Sequence, residues 1–519
     1  MLIMGNMIDR NARLFPDKEA FLHNEQRITF REFRDRVNKL INALHSLGLT
    51  KGDRVAVLST NCIPYFELYG AADKGGFILV PLNFRLAARE LLYLIQDSEA
   101  ATLVVENKYL PTIESIRDQL IGVKHIICIA HEGTGIAGKV PNLLDYETLL
   151  AAATADEAKV IIHEDDPVYI VYTSGTTGIP RGAVLTHRGQ YQTANALALE
   201  MGLRTVDKTL DMMPLYHTGG HAVAQAHFYR GCTNILTGGF NPSEALGLVE
   251  KEKITTMQVV PAMIVDMLNQ PDIDRYDLSS LRIIFYASSP MPVSLLKRAI
   301  QRWGNIFFQC YGLTENGPVA TALAIEDHVV DGPERLTRRL ASCGLPSANC
   351  DTRVVKEDGT QAVPGEIGEI IIRSEQMMKE YWKQPELTAQ VIKAGWLYTG
   401  DLATIDEDGY IYLVDRLKDM IVSGGENVYP REVEEVLYSH PAVLECAVIG
   451  IPDPKWVEAV HAVVVLKKGM EVVEEEIIGY CKRFLAGYKA PKSVEFAVQL
   501  LRNPSGKVLK TELRKKYNK

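Results

Sequence analysis

A mixed α/β fold built on a mostly parallel sheet is the architecture this sequence predicts, from three observations. Short apolar runs of strand length recur at 54–58, 102–105, 125–129, 168–171, 256–260 and 282–285. Segments with helical apolar spacing lie between them, and strands alternating with helices are the pattern of parallel sheets joined by crossovers. Past residue 415 the chain has a smaller α+β pattern of its own.

In order, Thr29-Phe30-Arg31-Glu32 has the form of a capping box. Phe30, Phe33, Val37, Leu40, Ile41, Leu44 and Leu47 follow at helical spacing, and Gly48 supplies the stop. A strand at 54–58, a helix at 87–96 and strands at 102–105 and 125–129 come next; 131–165, with Gly133, Gly135 and Gly138, reads as an irregular connection. The second half of the sheet is carried by 256–260 and 282–285. Gly365 opens a turn into a strand ending near Arg373, and Asp-Glu-Asp-Gly at 406–409 is a hairpin turn. Val433, Val436 and Leu437 mark a helix that ends at His440-Pro441, before strands at 445–448 and 460–466.

The length, 519 residues, exceeds one ordinary core and predicts at least two domains. With 47% apolar residues and a mean hydropathy of −0.03, the chain reads as a soluble globular protein. A net charge of −9 argues against a dedicated nucleic-acid binder, and Arg514-Lys515-Lys516 reads as a solvated helix end. No apolar stretch reaches the length of a membrane span, and the start lacks the features of a secretory signal, although peripheral membrane contact stays open. Eight cysteines without a Cys-x-x-Cys pair suit reduced thiols and a cytoplasmic location.

The chemistry centres on Val171 to Gly182. The apolar run 168–171 delivers the chain into a loop of four hydroxyl residues (Thr173, Ser174, Thr176, Thr177) and three glycines (Gly175, Gly178, Gly182) beside Arg181. Inward backbone N–H groups, hydroxyl donors and a cation suit an oxyanion with several oxygens, such as a polyphosphate. The Gly-Lys-Ser/Thr ending of a Walker A loop is absent, and composition alone leaves a polar surface loop as the alternative. His217 and His221 stand four apart in Pro-Leu-Tyr-His-Thr-Gly-Gly-His, but Gly219 and Gly220 disfavour a rigid helix there and no nearby carboxylate completes a metal site. In Phe307-Phe308-Gln309-Cys310-Tyr311-Gly312-Leu313-Thr314-Glu315 an aromatic ring, a close-approach glycine, a hydroxyl and a carboxylate suit a base, a backbone contact, phosphate and Mg²⁺ respectively. Asp401, in Trp-Leu-Tyr-Thr-Gly-Asp, is a natural bidentate acceptor for a diol.

Taken in order, these motifs closely resemble the adenylate-forming superfamily of acyl-CoA synthetases, luciferases and peptide-synthetase adenylation domains. The resemblance spans about residues 7 to 515. It implies an N-terminal domain, 1–415, of two βαβ sheet subdomains plus a distorted β-barrel, and a small mobile α+β domain, 416–519. ATP and AMP would be held by Thr173, Ser174, Gly175, Thr176, Thr177, Gly178 and Arg181, by Ser288, Ser289 and Pro290, by Gln309 through Thr314, and by Asp401, Leu413, Arg416 and Lys507. Glu315 would take Mg²⁺. His217, Gly219, Gly220, Val223, Cys310 and Val319 would line the acyl pocket, the glycines leaving room for a substituent. Gly424, Gly425 and Asn427 would face CoA, and Lys418 would be the hinge. Lys507, in Asn-Pro-Ser-Gly-Lys, matches the family's adenylation lysine, and with His217, Thr176 and Glu315 it makes up the expected catalytic set. The chain departs from the family pattern at several places: Arg181 replaces a lysine, Ser288-Ser289 replace Gly/Ala-Ala, Cys310 replaces a frequent small residue, and Val457 replaces glycine in Trp-Gly-Glu.

The reaction so implied is AMP-forming carboxylate–CoA ligation in two halves. A carboxylate attacks the α-phosphate of ATP to give acyl-adenylate and pyrophosphate, and the CoA thiolate then displaces AMP after the small domain rotates. The acid is expected to be a medium- or long-chain fatty acid, with aromatic or alicyclic acids as the alternative. Loading of a carrier protein and a non-enzymatic adenylate sensor are the rivals from other classes; retention of Lys507, Glu315, Asp401 and Arg416 argues against the sensor. A monomer or homodimer is expected.

Overall fold

The computed structural model describes residues 2–130, 143–173, 180–289, 291–423, 426–454, 456–502 and 508–517. Four sheets organise them. In the first, Ile78–Pro81, Arg54–Leu58, Ala100–Glu106, His125–Ile129 and Leu143–Asp145 run parallel, and Pro167–Thr173 joins in parallel on the other side of Ile78–Pro81. The antiparallel strands Arg181–Thr186 and Glu380–Tyr381 finish that edge. The second sheet is parallel through Thr233–Leu236, Lys208–Asp211, Thr256–Val259, Ile283–Tyr286 and Phe307–Tyr311, with antiparallel strands at both margins. The short apolar composition of these strands is what burial on both faces demands.

Helices Ile63–Gly75 and Thr218–Arg230 lie in the layer between the two sheets. Nearly every residue of each is buried, including Glu67, Asp73 and Lys74 of the first and His221, Gln225 and His227 of the second. Phe66 and Tyr69 from the first helix and Ala224 and Phe228 from the second share one core with Val57 and Leu79 of one sheet and Phe21 and Leu236 of the other. The third sheet is antiparallel, with Cys350–Val355, Gly368–Ser374, Ile392–Lys393, Trp396–Ile405 and Ile411–Arg416. A fourth, smaller sheet holds Ile421–Ser423, Glu426–Val428, Val443–Asp453, Val457–Leu466 and Ser493–Phe496 around Val448, Val460, Val464 and the helix residues Val433, Leu437 and Ile477.

The capping box forms: Glu32 N–H donates to Thr29 Oγ1 at 3.2 Å, and Thr29 N–H to Glu32 Oε2 at 2.7 Å. The helix it starts runs Phe30–Ser46, and Gly48 follows at φ +86°. The 406–409 turn also forms, between Trp396–Ile405 and Ile411–Arg416. Three expectations are corrected. Residues 143–152 are ordered as a short strand and the helix Tyr146–Ala152, capped by Asp145 Oδ1, which accepts from Thr148 N–H at 2.8 Å. The Gly219-Gly220 pair does not prevent a helix. At the basic helix end Lys515 and Lys516 are exposed as expected, and only Arg514 departs, pairing with Asp419 at 2.7 Å. All eight cysteines are buried and free, and among the described residues no helix is long and apolar enough to cross a membrane.

Candidate functional site

The polyphosphate-type loop is the connection of a hairpin. Pro167–Thr173 and Arg181–Thr186 pair antiparallel, with Thr173 opposite Arg181. Ser174, Gly175, Thr176, Thr177 and Gly178 lie outside the described residues, as do Pro290, Gly424, Gly425 and Lys507. What surrounds the hairpin is well defined. Glu315, at the carboxyl end of Phe307–Tyr311, accepts from Tyr381 Oη at 2.8 Å and from Thr173 Oγ1 at 3.5 Å. Both bonds reach Oε1, while Oε2 takes none among the described residues. Thr314 Oγ1 accepts from Thr218 Oγ1 at 3.3 Å, so the phosphate-side motif and the helix Thr218–Arg230 meet here.

Asp401 and Tyr311 are far apart in sequence and adjacent in space. Tyr311 Oη donates to Asp401 Oδ2 at 2.8 Å, and Arg416 Nε lies 3.0 Å from Oδ1. The register that places Asp401 opposite Arg416 comes from the 406–409 hairpin. Leu413, on the same strand as Arg416, packs with Tyr311 and Leu313 against the core of the third sheet. Gln309 Oε1 is buried with no partner among the described residues. A Cβ on Gly312 would lie 2.2 Å from the Pro318 carbonyl oxygen. The glycine is required here by the chain's own backbone at Pro318.

His217 caps the helix Thr218–Arg230. Its Nδ1 accepts from Gly219 N–H at 3.1 Å, which places the proton of the neutral ring on Nε2. The glycines sit in the first turn for steric reasons. A Cβ on Gly220 would lie 2.6 Å from Pro214 O, so Gly220 leaves no room for a substituent; one on Gly219 would lie 3.3 Å from His217 Nδ1 and 3.5 Å from Ser288 Oγ. Ser288 itself is exposed at φ +71°, a left-handed backbone that the family's glycine adopts without strain. His217, Gly219 and Ser288 therefore face one another, with Ser289 next in the same turn. Val223, Cys310 and Val319 meet in a single apolar cluster with Ala222, Ala226 and Phe308. Burial pushes the Cys310 thiol far above its ordinary value, which makes it a packing group.

A metal pair of His217 and His221 is excluded on geometry. The His221 ring is buried and stacked on Tyr69, centroids 3.7 Å apart, and burial lowers its pKa to about 3. No group of three or more His, Cys, Asp or Glu side chains among the described residues is set to hold a metal ion. A single half-buried carboxylate, one of whose oxygens takes no bond among the described residues, fits a Mg²⁺ that arrives on substrate phosphates.

At the junction to the fourth sheet, Lys418 is exposed, and partial desolvation together with the Arg416 charge lowers its pKa. Asp419 pairs with Arg514, Lys510 with Glu434 at 2.7 Å, and Asp415 Oδ2 accepts from Arg431 N–H at 2.9 Å. Asn427 is exposed on Glu426–Val428. Val457, in the position of the family's glycine, has φ +68° and is 71% exposed. Sequence reasoning missed Tyr381: nothing in Lys379-Glu380-Tyr381-Trp382 marks it, and only pairing of Glu380–Tyr381 with Arg181–Thr186 brings it to Glu315.

Comparison with known proteins gives one answer along the whole chain. The AMP-binding enzyme family matches residues 8–382, and the AMP-binding enzyme C-terminal domain matches 432–507. A feruloyl-CoA synthase of Amycolatopsis sp is 38% identical over 515 residues, 99% of each chain. The long-chain-fatty-acid–CoA ligase FadD13 of Mycobacterium tuberculosis is 36% identical over 99% of this chain and 98% of its own. The crystal structure of the anthranilate CoA ligase AuaEII in complex with anthranoyl-AMP superposes with a TM-score of 0.90 at 29% identity, covering 99% of this chain and 97% of that one.

Proposed function

We propose an acid and a set of residue roles for this chain, which belongs to the AMP-binding enzyme family of the adenylate-forming superfamily and is an AMP-forming acid–thiol ligase using ATP and CoA. The acid is a medium- or long-chain fatty acid. The observation that carries the roles is the meeting of Thr173, Glu315, Tyr311, Asp401 and Arg416 through side-chain contacts from separate segments.

In the first half-reaction two anions must be brought into line, so positioning and charge neutralisation matter more than covalent help. Asp401 accepts the ribose hydroxyls, Gln309 accepts from the adenine amine, and Arg416 and Arg181 offset phosphate charge. Arg181 keeps the charge of the family's lysine and adds bidentate geometry. Glu315 is the residue that would hold Mg²⁺, whose chemistry when bound is neutralisation of phosphate charge. The hydroxyls and N–H groups of 173–178, with Thr314, cradle phosphate; Lys507 stabilises the charge that develops on the α-phosphate and leaving group. His217, with its proton on Nε2, borders the reacting carboxylate. In the second half-reaction the small domain, beginning at about 416, turns about Lys418 and brings Gly424, Gly425 and Asn427 to the CoA thiol. No strong base is required, because a thiol of pKa about 8.5 supplies some thiolate near neutrality.

A fatty acid is supported by the apolar cluster of Val223, Cys310 and Val319 and by similarity to a long-chain-fatty-acid–CoA ligase. An aromatic acid is the second reading, favoured by similarity to a feruloyl-CoA synthase and an anthranilate CoA ligase. Pyrophosphate release across linear, aromatic and alicyclic acids, followed by thioester formation with CoA or a holo carrier protein, separates these outcomes. The highest kcat/KM on a linear chain of medium or greater length with CoA is expected. A ring-bearing acid ahead of every linear one sinks the fatty-acid assignment, and preference for the carrier sinks the thiol acceptor.

A further inference from the structure

Glu315 is held from one side, and the better of its two bonds comes from Tyr381. The phenol donates to Oε1 at 2.8 Å, whereas Thr173 reaches the same oxygen at 3.5 Å. Tyr381 is itself fixed from several directions. Its backbone pairs with Ala183, its N–H donates to Thr388 Oγ1 at 2.9 Å, and the neighbouring Trp382 Nε1 donates to Asp97 O at 2.8 Å. Its side chain is 95% buried as judged by a relative exposure of 5%. The Arg181 guanidinium sits 5.9 Å from the ring centroid, within cation–π range. One side chain thus touches both the metal-type carboxylate and the cation of the phosphate loop.

A carboxylate with one oxygen pinned presents the other in a defined direction, while an unpinned one turns about its last torsion among broad, nearly equivalent positions. The planar guanidinium of Arg181 stacks on a ring in a way the compact lysine ammonium does not, so the ring has a particular use in a chain with arginine at 181.

We propose that Tyr381 is a positioning residue for adenylation: its hydroxyl fixes Oε1 of Glu315 so that Oε2 faces the cation brought by ATP, and its ring seats Arg181 at the phosphate loop. This rests on the reading of Glu315 as the Mg²⁺ carboxylate.

The test is a Mg²⁺ titration read both by calorimetric binding of ATP without acid and by pyrophosphate release at fixed ATP and acid, on wild type, Tyr381→Phe, Tyr381→Leu and Glu315→Gln, each studied well below its measured melting temperature. Tyr381→Phe keeps the ring and loses one hydrogen bond to a charged group, so half-saturating Mg²⁺ should rise roughly ten-fold, with kcat at saturating Mg²⁺ nearly retained. Tyr381→Leu, which loses the ring as well, should also raise KM for ATP. An unmoved Mg²⁺ midpoint in Tyr381→Phe while Glu315→Gln shifts it overturns the inference alone. If Glu315→Gln leaves Mg²⁺ dependence unchanged, the metal reading of Glu315 falls and the inference falls with it. A drop in kcat with the midpoint unmoved assigns Tyr381 a merely structural part and also overturns the proposal.

Discussion

At the proposed nucleotide end of the site, separate segments are joined by directed polar contacts: Thr173 and Tyr381 to Glu315, Tyr311 and Arg416 to Asp401, Thr218 to Thr314. At the proposed acyl end, Val223, Cys310 and Val319 meet through apolar contact in a cluster with Ala222, Ala226 and Phe308. Directed contacts demand particular atoms at particular places, so they leave short, readable motifs. Apolar contact demands only volume and shape, which many side chains can supply. The same enzyme class is therefore legible at one end while its acid is not at the other.

The sharpest way to divide the two ends is Lys507→Ala. Adenylation should fall by about 100-fold or more, on the scale of removing one electrostatic contact made in the transition state. Thioester formation from supplied acyl-adenylate should persist, read by single-turnover assays of each half-reaction. Equal loss in both would break the two-conformation mechanism.

Asp401→Ala comes next. It removes the acceptor of the proposed ribose contacts and leaves the Tyr311 hydroxyl without its partner. ATP affinity should weaken by about 1.5–3 kcal/mol by calorimetry, with the KM for the acid little changed. Unaltered ATP affinity would take Asp401 out of the nucleotide end.

Cys310→Leu probes the acyl end. Overfilling a buried cluster costs about 1–3 kcal/mol, and here the cost should appear as a shift in preference toward shorter or narrower acids with KM for ATP unchanged. A profile across chain length that does not move would show that the pocket lies elsewhere.

The smallest effect concerns neither end. Val457 holds φ +68° although it is β-branched and exposed. Val457→Gly relieves that strain and incurs the entropy of glycine, leaving a net gain of about 0.5–1 kcal/mol. A melting temperature at or below wild type would count against strain at this position.

Much of the scaffold was readable because burial leaves a periodic imprint. The runs at 54–58 and 125–129 are strands with those same bounds, and the Thr29–Glu32 box starts its helix. Where reading failed, tertiary contact had overruled local propensity. Gly219 and Gly220 disfavour a helix in isolation, yet Gly220 is what lets the first turn press against Pro214. The strand and helix at 143–152 are too short to show a period, and only the Asp145 cap betrays them. Tyr381 had no local signal at all, since its meaning lies in a strand pairing with residues two hundred positions earlier, at Ala183.

The bond between Tyr311 and Asp401 joins the parallel sheet that contains Phe307–Tyr311 to the antiparallel sheet that contains Trp396–Ile405. The proposed ribose acceptor is therefore complete only when those two sheets are docked. A nucleotide held there as proposed would act as a staple between them, and chains in which the antiparallel sheet has come away would lose affinity for it. At a free nucleotide concentration of about 100 times its dissociation constant, mass action adds about 2.7 kcal/mol against that separation. In a cell poor in ATP, the same enzyme would meet proteases and heat without its staple.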